Sequence, residues 1–186
     1  MEKQEKKKRK WSKTAKAELY VPQASGGYRY IGKYYTFSPN QSINAKRYLL
    51  ILTGLSLLTA VLIVGSGLLN SPGMHNTFYV IIPFIGSFIC SVACVWASGR
   101  AMYYGDPLKE YVYSATVVRL RGLTVIQAVC SVLTAAGETV FFFLSAAEEQ
   151  KLSILLAFDG QQLLAAASSL AAWRFVIRYK WEKNDS

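Results

Sequence analysis

The stretch Gly122–Ile177, GLTVIQAVCSVLTAAGETVFFFLSAAEEQKLSILLAFDGQQLLAAASSLAAWRFVI, decides the fold. Two long apolar runs, 122–144 and 152–177, are joined by Ala146-Ala147-Glu148-Glu149-Gln150-Lys151, and each run carries one acid, Glu138 and Asp159. Either run is long enough to cross roughly 30 Å of hydrocarbon as a helix. In an antiparallel helical hairpin both acids fall about ten residues from the middle of the turn, hence at nearly one depth. A charge near the centre of a span costs roughly 2.5–3.5 kcal/mol on insertion scales, so such acids face protein or water and are candidate functional groups.

Outward from this hairpin lie two more apolar blocks, 48–69 and 78–98. With 52% hydrophobic residues and a formal charge of +10 in 186 residues, the chain is too apolar to be an ordinary basic soluble domain. The first block starts after 47 residues and, at about 22 residues, exceeds the 7–15 of a signal-peptide core, so it reads as a retained span. The expected fold is an all-α integral membrane protein, a four-transmembrane-helix bundle with spans at about 48–69, 78–98, 122–144 and 152–177.

Lysine and arginine set the orientation. Twelve precede Tyr48, four lie in 99–121 and four follow from Arg174, which leaves Lys151 alone among 21 for the other side. The positive-inside rule then places both termini and the middle loop in the cytoplasm.

Residues 1–18 are basic and lack apolar periodicity, so they are expected to be disordered in isolation, with Lys6, Lys7, Lys8, Arg9 and Lys10 attracted to anionic lipid headgroups. Residues 19–46 are a cytosolic tyrosine-rich segment. Its β-formers flank Gly26-Gly27, which suggests a small hairpin with Gly32 as an irregularity, and a lone hairpin must lean on something else. A nucleic-acid role for the basic and aromatic residues is not expected.

Within the membrane domain, 47–177, Asn70-Ser71-Pro72-Gly73 reads as a tight turn, and Pro83 predicts a kink in the second span. Asp106-Pro107 has the form of an N-cap and first helical residue, opening an amphipathic helix over about 107–119. Glu148 and Glu149 suit the start of the fourth helix. Residues 178–186 are expected to be a cytosolic tail.

On the third span, Gln127, Ser131, Thr134 and Glu138 fall close to one helix face. The fourth has a similar stripe in Asp159, Gln162 and Ser169. Glu138, Asp159, Gln127, Thr134 and Gln162 therefore form the candidate intramembrane polar site. Cys90, Cys94 and Cys130 lie within spans and read as small buried thiols, while His75, the one histidine, falls in an outer loop, so no metal or other cofactor is expected. No catalytic motif is present: neither a Ser-His-Asp set, nor HExxH, nor a phosphate-cradling glycine loop. The chain is expected to be an accessory or structural subunit of a membrane assembly, as a homo-oligomer or in a hetero-complex. The alternative is a small proton- or ion-coupled transporter or channel using Glu138 and Asp159. The compact form with short outer loops suits a bacterial cytoplasmic membrane.

Overall fold

The computed structural model describes residues 19–22, 28–39, 41–69, 71–145 and 152–184. In chain order the elements are β1 (Tyr20–Pro22), β2 (Tyr28–Tyr30), β3 (Tyr34–Phe37), α1 (Ala45–Leu68), α2 (Pro72–Asn76), α3 (Phe78–Tyr104), β4 (Leu108–Lys109), α4 (Glu110–Ala115), α5 (Val117–Leu144), α6 (Leu152–Arg178) and β5 (Trp181–Asn184). Four helical stretches, α1, α3, α4 with α5, and α6, are long and apolar enough to cross a membrane, which is the architecture of a multi-pass membrane protein. They close a ring: α1 packs on α3 and α6, and α5 packs on the same two. Small residues permit the close approach. A Cβ on Gly137 of α5 would stand 3.2 Å from the backbone oxygen of Tyr79 in α3, so a larger residue there would force the two helices apart.

An antiparallel sheet caps one end of this ring. Strand β3 is central, with β4 on one side, in register Tyr35 to Leu108, and β5 on the other, in register Phe37 to Trp181. Cross-strand partners share a face, so Phe37, Leu108 and Trp181 point together toward the bundle and are all buried. There they join Tyr48 at the start of α1 and Val176 and Tyr179 at the end of α6. Ring centroids lie 5.1 Å apart for Phe37–Tyr48, 5.4 Å for Phe37–Trp181 and 5.6 Å for Tyr48–Tyr179. The chain before α1, the loop after α3 and the chain after α6 thus meet at one end, as an even number of spans requires.

Strands β1 and β2 form a separate antiparallel hairpin, Tyr20 opposite Tyr30. It leans on the middle loop: the Lys109 ammonium lies 3.0 Å from the Tyr20 hydroxyl and 5.2 Å from the centre of the Tyr30 ring. Burial among these rings pushes the Tyr30 hydroxyl up to about 12, so it stays neutral.

Three local expectations are corrected. Asp106 does not cap a helix; its Oδ1 accepts the Phe37 backbone N–H at 3.1 Å and ties the loop to β3. Because Leu108 and Lys109 pair as strand β4, the helix expected from 107 begins only at Glu110, and Thr116 interrupts it with φ −117° and ψ −83°. The turn expected at 70–73 is in part a short helix, α2, with Ser71 as N-cap and Pro72 in its first turn. Helix α3 runs continuously past Pro83. The basic run Lys6–Lys10, residues 1–18 as a whole, and Glu148, Glu149 and Lys151 lie outside the described residues.

Candidate intramembrane polar site

The spacing 127, 131, 134, 138 puts four polar side chains on one face of α5, and that face points into the ring: Gln127, Ser131 and Thr134 are fully buried and Glu138 is 2% exposed. The other helices answer with Ser56, Thr59 and Ser66 from α1, Ser87 and Ser91 from α3, and Gln162, Ser168 and Ser169 from α6, all buried. Outside, Leu57, Val61, Ile85, Val92, Leu133 and Leu164 are exposed, so polar side chains share the interior with apolar ones while the outer face of the helices is apolar. In lipid, burying a leucine between helices yields little hydrophobic gain. Close packing and interhelical hydrogen bonds then carry more of the association.

Several of these contacts bridge helices. Gln162 donates from Nε2 to Ser66 Oγ at 2.6 Å, linking α6 to α1, and Thr59 and Ser168 hydroxyls meet at 3.0 Å across the same interface. Thr134 is used within its own helix, donating to the Cys130 carbonyl at 2.8 Å. Gln127 is placed beside Ser56, Thr59, Thr124 and Ser169 in the enclosed middle of the bundle. Both its amide atoms are buried and have no hydrogen-bond partner among the described residues.

The two acids are not joined to each other by a hydrogen bond among the described residues. Glu138 Oε1 accepts the backbone N–H of Gly73 at 3.1 Å, in the first turn of α2. That N–H has no partner within the helix, and a carboxylate there is also favoured by the helix N-terminus. The approach is so close that a Cβ on Gly73 would collide with the carboxylate, standing 2.8 Å from its Cδ. Asp159, half-buried on α6, accepts from the Thr139 hydroxyl of α5 at 2.7 Å. One oxygen of each acid, Glu138 Oε2 and Asp159 Oδ1, is buried with no hydrogen-bond partner among the described residues.

Sequence reasoning missed Gly73, Thr139 and Ser66 as partners. Gly73 is 65 residues from Glu138, and a Pro-Gly pair signals a turn, not a site for an acid. Thr139 was legible only as a neighbour of Glu138 on a different face. Cys90 and Cys94 are buried and Cys130 is half-buried, all as free thiols, and among the described residues no three His, Cys, Asp or Glu side chains are placed to hold a metal ion. No protein-family model, no curated protein and no solved structure matches this chain.

Proposed function

We propose that the protein is an accessory or structural subunit of a membrane assembly, with the sheet-bearing end in the cytoplasm. The observation that carries this reading is the sheet itself. Three segments distant in sequence are woven into one platform at one end of the bundle, and β5, the strand after α6, forms one of its edges. An edge strand of this kind suits strand addition by a partner, in which main-chain hydrogen bonds supply affinity. The interior supports the same reading, since Glu138, Asp159, Gln162 and Thr59 hydrogen-bond to neighbouring segments of the fold. The cytoplasmic placement rests on the charge asymmetry, and a bacterial cytoplasmic membrane is the setting that short outer connections fit best. Purification from native membranes in mild detergent after crosslinking tests the proposal. A second chain in fixed stoichiometry is the expected result, and a lone monomer would contradict it.

One observation favours a second reading, a small proton- or ion-coupled transporter or channel. Glu138 and Asp159 each keep a buried oxygen that is not engaged by the described residues. On this reading Glu138→Gln or Asp159→Asn abolishes a pH-driven flux in liposomes while the bundle stays intact, and a wild type without flux rules it out.

A further inference from the structure

Between α1 and α3, at the sheet-bearing end, the outer surface is hollowed into a groove of about 740 Å³. Its walls are Leu57 and Ala60 from α1 and Val92 and Val95 from α3, with Gly99 leaving the side open. A Cβ built on Gly99 meets nothing within 4 Å, so the groove is open at this position. Trp96 and Tyr103 stand on its rim at 73% and 86% exposure. Arg100, one turn before the helix end, lines the same groove, its guanidinium 5.8 Å from the centre of the Tyr104 ring.

We propose that this groove holds one anionic phospholipid, its acyl chain along the α1–α3 wall and its phosphate on Arg100. Depth and charge together favour this occupant. The groove opens on the bilayer-facing surface, where acyl chains are the surrounding medium, and it ends at a cation level with the aromatic residues that mark a membrane interface. A guanidinium forms paired hydrogen bonds to phosphate oxygens, and its long stem can follow an apolar wall while the charge stays at headgroup depth. The volume is that of a small-molecule site, which typically spans about 300–1,000 Å³. A partner's transmembrane helix would bring an apolar side chain, not an anion, to Arg100.

Native mass spectrometry of the full chain tests this, with phosphatidylglycerol and phosphatidylcholine of identical acyl chains offered in equal amounts. The wild type is expected to retain one phosphatidylglycerol in preference to phosphatidylcholine. Arg100→Gln should lower that preference about fivefold, the factor one basic residue supplies at an anionic surface. Gly99→Phe, which sets a bulky ring at an open position of the groove, should remove retention of both lipids. Arg119→Gln, at an exposed position on α5 that does not line the groove, should leave retention unchanged. Equal retention of the two lipids by the wild type would overturn the proposal, as would an equal loss in Arg119→Gln and Arg100→Gln. Gly99→Phe that keeps its lipid, or that instead dissociates a dimer of this chain, would overturn it too.

Discussion

At the sheet-bearing end, Phe37, Tyr48, Tyr179 and Trp181 pack with tilted and edge-on rings, whereas toward the opposite end, among the described residues, Glu138 accepts the Gly73 backbone N–H and Ile63, Phe84 and Phe158 belong to a smaller apolar cluster. The first arrangement uses water. Side chains that would otherwise be wet are buried, and aromatic pairs add geometry to that gain. The second joins a span to the connection before α3 by a polar contact, and in lipid, where removing apolar surface from the solvent gains little, polar contacts weigh more in deciding which segments meet. The two ends of the chain thus rest on different contacts, aromatic rings packed beneath a sheet at one and side-chain hydrogen bonds to a backbone N–H and a hydroxyl at the other.

Substitutions can break or sharpen this contrast. The largest effect is expected from Trp181→Ala, which removes a buried aromatic from the cap and should lower stability by about 3–5 kcal/mol in denaturation from detergent micelles. A loss below about 1 kcal/mol would mean that the sheet rests on the bundle without holding it. Next comes Gly73→Ala, expected to cost about 1–3 kcal/mol because the added methyl meets the Glu138 carboxylate. Glu138→Gln should change stability by less than about 1 kcal/mol, since an amide oxygen can still accept the Gly73 N–H. Glu138→Leu should cost about 1–3 kcal/mol, leaving that buried donor without an acceptor. Equal losses for the two would show that the negative charge, not the hydrogen bond, matters. Smallest is Gln162→Leu, for which the lost bond to Ser66 predicts about 0.6 kcal/mol, the usual worth of an interhelical hydrogen bond in lipid.

The four spans were legible because a run of some twenty apolar residues has few other solutions. Their ends were less so: α3 continues past Ser98 to Tyr104, since a helix need not stop where the hydrocarbon does. The inward face of α5 was also readable, as Gln127, Ser131, Thr134 and Glu138 recur at helical spacing. What they touch was not. The partner of Glu138 sits in a connection whose Pro-Gly reads as a turn, and the partner of Asp159 lies on a flank of α5 that the stripe leaves out. The sheet was hidden for a related reason. Strand β4 has two residues and β5 four, too few to display a period of two, and both pair with β3 across long sequence separations. Tyr179 and Trp181, buried on either side of exposed Lys180, carry an alternating signal after α6.

The claim that the sheet is a docking platform is tested most directly at Glu182, which is exposed on β5. With a photo-crosslinking residue in its place, irradiation of intact membranes followed by native mass measurement reads both the contact and the stoichiometry. One defined adduct to a different chain is expected, with a native mass that contains that chain. A symmetric homo-oligomer or a monomer, with no adduct at Glu182, would contradict it.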